Sequence, residues 1–262
     1  MKRALLVAGT VAALLTGTAC SHHASTPTTT PDPSSTALPA PPHAGSCYRL
    51  TVASALESTS AASPVRCSLK HTARTVVVGR IAGTRPMSSA AVQQRIAARC
   101  RSAVDAYVGG TREDQRLSRV QAVWFNPPDE LTARGARWFR CDVVIAATPQ
   151  AFSPLPRHVR GLLDRAGALD RYGTCGTAAP GTAAFRRVLC SAKHTWRARS
   201  TITLPPHTRY LAKAAGKHAD SVCRDVEART AADSLRLRWS FEWPTAAQWR
   251  GGQRYGTCWT PE

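Results

Sequence analysis

The residues best equipped for chemistry occur twice. A shift of 123 positions lays Cys67-Ser68-Leu69-Lys70-His71-Thr72-Ala73-Arg74 over Cys190-Ser191-Ala192-Lys193-His194-Thr195-Trp196-Arg197. Each copy offers an ammonium, an imidazole and a guanidinium. Read as an extended strand, Lys70, Thr72 and Arg74 share one face and His71 takes the other. Lys70, His71, Arg74, Lys193, His194 and Arg197 are therefore the candidate anion-binding residues, with Arg able to grip a phosphate or carboxylate in bidentate fashion. The plainer alternative is that His71 and His194 bond a backbone group and the cations are simply solvated. A third reading makes His71 or His194 the base of an envelope hydrolase. No Gly-x-Ser-x-Gly elbow and no HExxH accompanies them, so no catalytic residue is assigned.

The chain has nine cysteines. Eight of them fall as two sets of four: Cys47, Cys67, Cys100 and Cys141, then Cys175, Cys190, Cys223 and Cys258. The middle interval is the same in both sets. Pieces at the ends match as well: Gly45-Ser46-Cys47 against Gly173-Thr174-Cys175, and Pro127, Gly135, Arg137, Trp138 and Cys141 against Pro244, Gly252, Arg254, Tyr255 and Cys258. The pattern is that of two copies of one unit, over 45–148 and 172–262, joined by a connector over 149–171. An even set of cysteines in each copy points to disulfides, and three connectivities per copy are open. Joining neighbouring strands first favours Cys47–Cys67 with Cys100–Cys141, and Cys175–Cys190 with Cys223–Cys258. Zinc is the rival reading, through Cys67-x3-His71 and Cys190-x3-His194. The absence of any CxxC pair argues against it, and neither metal nor cofactor is expected.

The ninth cysteine, Cys20, closes an export signal. Met1-Lys2-Arg3 is a positive start, Ala4 to Leu15 is apolar, and Gly17-Thr18-Ala19 leads small residues into Cys20. That apolar stretch suits a signal peptide over 1–19 and is too short to span a bilayer. The pattern resembles a bacterial lipobox, with Gly17 in place of the usual Leu, and implies lipidation at Cys20. Residues 20–44 are rich in Ser, Thr and Pro, with little to bury, and read as a tether reaching roughly 25–75 Å. The expected location is extracytoplasmic, at the cell membrane, where disulfides persist.

Lys and Arg number 35 against 16 Asp and Glu, a net charge of +19. The excess is shared by both copies. Such a surface attracts polyanions: lipid headgroups, acidic wall polymer or nucleic acid. Export and the lack of a recognition motif set nucleic acid aside.

The elements that must position these residues are legible in outline. Strands are expected over Thr72–Ile81 and Trp196–Leu204. A helix capped by Ser88 or Ser89 carries Val92, Ile96, Cys100, Val104 and Tyr107 at spacings of three and four, and stops at Gly109-Gly110. Leu211, Ala215, Ala219, Cys223 and Val226 repeat that rhythm. Leu235, Leu237, Trp239 and Phe241 alternate as a strand, Trp124-Phe125 and Trp138-Phe139 mark its counterparts, and a short helix is expected near Val159–Arg165 in the connector. The fold class is α+β: two tandem small domains, each an antiparallel sheet with one packed, disulfide-stapled helix.

Gly-x-Cys, Cys-x-x-x-His, a helical Cys and Gly-x-Arg-x-x-x-Cys in this order resemble the septum formation-related domain of actinobacterial envelope proteins. The matching residues are Gly45–Cys47, Cys67–His71, Cys100 and Gly135–Cys141, with their counterparts in the second copy. The resemblance implies a link to cell division or the septum. Lys70 and Lys193 replace an expected Pro. Arg74 and Arg197 stand where an acidic residue is common, so a His–carboxylate pair is not expected. The resulting reading is a lipid-anchored envelope module that binds or scaffolds, its partners being the membrane, an anionic wall polymer or a division protein.

Overall fold

A computed structural model describes residues 37–262 except 206, 232 and 234. The signal, Cys20 and most of the tether lie outside the described residues. Residues 38–262 form one compact unit. Its first half contains β1 (Cys47–Tyr48), α1 (Val52–Ala55), β2 (Ala73–Arg80), α2 (Ala90–Val108), α3 (Arg112–Leu117), β3 (Val120–Phe125), α4 (Asp129–Ala133), β4 (Trp138–Thr148) and β5 (Ala151–Ser153). After α5 (Ala168–Tyr172), the second half contains β6 (Thr174–Gly176), β7 (Arg187–Leu189), β8 (Trp196–Thr203), α6 (Lys213–Thr230), β9 (Ser240–Glu242), α7 (Ala246–Arg250) and β10 (Tyr255–Pro261).

Two antiparallel sheets result. The first runs β1-β2-β4-β3, with β5 added to β4; the second runs β7-β6-β8-β10-β9. The shared path is the same in both: an opening strand, the strand after the second cysteine, the last strand, then the strand that follows the long helix. The irregularities coincide too. The β2–β4 register jumps across Val76, between the Thr75–Asp142 and Val77–Cys141 pairs, and the β8–β10 register jumps across Arg199, between Ala198–Trp259 and Ser200–Cys258. An extra residue at one point of a ladder bends and twists the strand there, so both sheets bend next to the cysteine that holds the helix.

The four disulfides join Cys47–Cys67, Cys100–Cys141, Cys175–Cys190 and Cys223–Cys258, the pairing that the spacing favoured. In each half, one bridge staples the long helix to the central strand. Val92, Ile96, Cys100, Val104 and Val108 form the buried stripe of α2; the first three pack with Phe139 and Cys141, the last two with Val143 and Ile145. Val108 takes the buried place expected of Tyr107, whose ring instead lies under the Arg160 guanidinium. Gly109 and Gly110 both adopt positive φ and end the helix. Ser89 is the N-cap residue, but its hydroxyl makes no capping bond.

Several expected elements move. The helix near 159–165 is absent, and that segment is a series of turns broken at Gly161 and Gly167, both at positive φ. Its apolar residues are nevertheless structural: Leu155, Val159, Leu162 and Leu163 share a core with Val104, Val143, Ile145, Tyr172 and Leu189. The connector therefore fills the junction between the halves. Leu211 lies before α6 in a left-handed conformation, exposed, so that helix starts at Lys213. The strand expected from Leu235 shrinks to Ser240–Glu242, and Leu235 is 92% exposed.

The halves close their second faces differently. In the first, Arg140 and Asp142 of β4 are buried as an ion pair (3.1 Å), with Thr75 donating to Asp142 at 2.7 Å and Arg140 lying over Tyr48 at 3.8 Å. Burial pushes the Asp142 carboxyl up, while Arg140 and the Thr75 bond pull it back. In the second half the equivalent face is apolar: Trp196, Ala198 and Trp259 pack around Leu117, which arrives from α3 of the first half. Asp142→Ala leaves Arg140 buried without its carboxylate and is expected to lower unfolding stability by about 3–5 kcal/mol, measured by urea denaturation. A change smaller than 1 kcal/mol would contradict the pair's role.

Candidate functional site

The repeated Lys-His-Thr-x-Arg motif does not form a cationic stripe. β2 begins at Ala73, so Lys70 and His71 lie in the preceding loop. Lys70 is exposed, and its carbonyl accepts from Arg49 Nε at 3.0 Å. His71 is buried, with Nδ1 2.8 Å from the Leu69 carbonyl and Nε2 without a partner. Because a carbonyl only accepts, Nδ1 carries the proton. Arg74 is half-buried, and its Nε is sealed without a partner.

In the second half Lys193 is exposed, while the other two cations are engaged. His194 Nδ1 lies 2.6 Å from the Ala192 carbonyl, repeating the bond of His71, and Nε2 lies 3.2 Å from Glu262. Arg197 bonds Glu262 at 3.0 Å and pairs with Asp170. The expected lack of a His–carboxylate pair is thus corrected here. The acid comes from the end of β10, distant in sequence, and local spacing gives no hint of it. Burial pushes the Glu262 carboxyl up, but the bond and charge of Arg197, with help from His194 and Arg199, leave it below the ordinary value. Cys175, His194 and Glu262 place one ligand atom each within 4.8 Å of one another. With Cys175 bridged to Cys190, its sulfur is no thiolate, and the group has two metal ligands rather than three.

A different site emerges at the junction of the halves. α3 acts as a peg. Thr111 caps it through a reciprocal box with Asp114, Glu113 accepts from the backbone N–H and hydroxyl of Thr201, and Arg116 donates to Thr203 at 3.0 Å while lying 4.3 Å over the Tyr255 ring. Directly after the peg, the chain bridges Ser118 to Gly173, and the Arg119 N–H donates to the Tyr172 carbonyl at 2.7 Å. These bonds hold Arg119 at the mouth between the two sheets.

Two adjoining clefts open there, of about 280 and 370 Å³, and both are lined by Arg119, Gln121 and Arg187. The smaller is polar, walled by Arg116, Glu242, Trp243, Gln248, Gln253 and Tyr255. The larger is more apolar, with Val52, Leu56, Phe152 and Phe185. Arg119 is 8% exposed. Its Nε donates to the Ala146 carbonyl at 2.9 Å, and among the described residues no carboxylate pairs with it. Burial, then the nearby charge of Arg187, pushes its guanidinium down to about 10, still cationic at neutral pH. Arg187 pairs with Glu242, whose second oxygen accepts from Trp259 Nε1 at 3.1 Å. The local acid is therefore committed elsewhere, and Arg119 is a desolvated cation with no anion of its own.

A family model described as septum formation matches residues 44–258. The chain belongs to the septum formation family. The match runs once through both sheets, so the family unit is the whole two-sheet body with the junction cleft inside it. No curated protein and no solved structure matches the chain significantly. No helix among the described residues is long and apolar enough to cross a membrane.

Sequence reasoning missed Arg119 and Arg187 because neither belongs to a motif and the chain is full of arginine. The only sequence signal was position: Arg119 comes two residues after the capped segment Thr111–Leu117.

The Glu262 clamp carries a pH signature. A carboxylate held below its ordinary value, 4.5, stabilises the fold fully above that value and loses the contribution as pH falls through the depressed one. Wild type should lose stability over this acidic window, and Glu262→Gln should show a flatter profile there, measured by thermal melting at stepped pH. Identical slopes would contradict the clamp.

Proposed function

We propose that this chain is an extracytoplasmic module, tethered to the membrane through lipidated Cys20, that binds an anionic component of the cell envelope during septum formation. Two copies of one ancestral unit make up its body, as the matched strand order, bridges and register jumps support. The observation that carries the binding role is Arg119, buried and cationic with no carboxylate partner. An uncompensated buried charge costs several kcal/mol, and evolution retains such a cost where an incoming anion removes it. The net charge of +19 draws polyanions toward the cleft from a distance.

This reading moves the anion site from the repeated motif to the junction. His194 and Arg197 already hold Glu262 and Asp170, so they have less to offer a ligand. It also disfavours a hydrolase, since both ring nitrogens of His194 are engaged and Nε2 of His71 is sealed from solvent.

The test is crosslinking capture of the full-length protein in intact envelopes, with Arg119→Gln beside a variant lacking the charges of Lys70, Arg74, Lys193 and Arg197. A charge-assisted bond is worth about 1.5–3 kcal/mol. Arg119→Gln should therefore reduce capture of acidic wall material at least about tenfold, at a melting temperature no lower than that of the wild type. The motif variant should retain more, and capture should fall as salt rises. Equal capture by wild type and Arg119→Gln would overturn the assignment.

A further inference from the structure

We infer that the ligand of the junction cleft is an acidic saccharide, bound with its acid group on Arg119 and its sugar ring in the polar arm. The inference rests on the anion-binding reading above and names its ligand class. A carboxylate alone needs only the guanidinium, and a lipid anion would use the larger, more apolar cleft that shares Arg119. The polar arm has different chemistry.

Among the described residues the Gln121 side chain makes no hydrogen bond, and Gln253 uses its NH2 on the Tyr255 carbonyl, leaving its Oε1 free to accept. Gln115 likewise spends its NH2 on the carbonyls that close α2, which leaves its oxygen for a donor. Burial raises the Tyr255 phenol above its ordinary value, and the hydroxyl stays protonated. Trp243 lines this arm, and its Nε1 is buried with no acceptor among the described residues, an unmet donor that a ligand reaches by a small shift of the indole. Free acceptors beside unmet donors match hydroxyl groups, which both donate and accept.

The aromatic rings that line the arm are Trp243 and Tyr255, with the buried Trp259. Behind that lining, Trp249 stacks on Trp243 at 6.2 Å and 18°, and Phe241 meets it edge-on at 5.7 Å. Electron-rich rings attract the weakly positive C–H bonds of a pyranose, as they do other positive edges. A sugar ring thus finds amides at its rim, aromatic rings in the wall, and Arg119 and Arg187 where a uronate or phosphate substituent would project. At about 280 Å³ the arm lies near the small end of ligand pockets, which suits one residue of a longer chain.

The test is titration calorimetry on the full-length chain with defined probes, in detergent for the water-soluble ones and in detergent-free nanodiscs for the vesicles. These are a hyaluronan tetrasaccharide carrying glucuronate, neutral chitotetraose, inorganic phosphate, and vesicles of phosphatidylglycerol. The acidic tetrasaccharide should bind at least about tenfold more tightly than the neutral one, a margin of 1.4 kcal/mol, and phosphate alone should bind far more weakly. Arg119→Gln should abolish that margin. Trp243→Phe keeps the ring and removes only the N–H, so it should weaken the acidic sugar several-fold without lowering the melting temperature.

Equal affinity for the two tetrasaccharides would overturn the inference. So would phosphate binding as well as the sugar, which marks an ion site only, or vesicle binding without sugar binding, which marks a lipid site. If wall capture depends on Arg119 but no acidic sugar binds, the saccharide assignment fails and the anion-binding reading stands. If wall capture ignores Arg119, both fail.

Discussion

A guanidinium removed from water must be repaid by a negative charge or by acceptors on every donor, and Arg119 has neither in full. Its burial is enforced by its neighbours rather than by its own preference. The capped peg α3 drives Leu117 into the apolar face of the second sheet, and the next two residues are pinned to Gly173 and Tyr172 by backbone bonds. The Arg119 backbone cannot turn away without breaking the contact between the halves, and the bond from Nε to the Ala146 carbonyl holds its side chain inward. The same packing that completes the core therefore creates the cationic cleft.

The two halves divide the labour of stability and recognition. The first sheet closes its second face with its own residues, through the Arg140–Asp142 pair and the rings of Tyr48 and Phe125. The second sheet leaves that face apolar and borrows Leu117 to cover it. The junction surface exists in neither sheet alone. The helix-to-strand disulfides, one in each half, hold the twisted strands at the bend and let small sheets support a cleft between them.

Much of the architecture was legible. The recurring cysteines favoured the bridges that are present, and the stripe from Val92 to Val104 marked α2. What failed did so for physical reasons. The apolar residues Val159, Leu162 and Leu163 suggested a helix, yet Gly161 and Gly167 break the backbone and the side chains are buried by tertiary packing instead. The alternation from Leu235 to Phe241 suggested a strand, but only its last part finds a partner in β10. The site was least legible of all. The Lys-His-Thr-x-Arg repeat drew attention by recurring, whereas recurrence here reflects a conserved local bond from each imidazole to the carbonyl two residues earlier. Arg119 is a single residue among many arginines, and only its burial and lack of a carboxylate distinguish it.

The most direct measurement is the NMR signal of the Arg119 side-chain Nε–H in the full-length protein, followed while acidic wall polymer is added. The account predicts that this resonance shifts saturably in step with binding, and that high salt reverses the shift. A protein that binds the polymer while the Arg119 resonance stays fixed would contradict it.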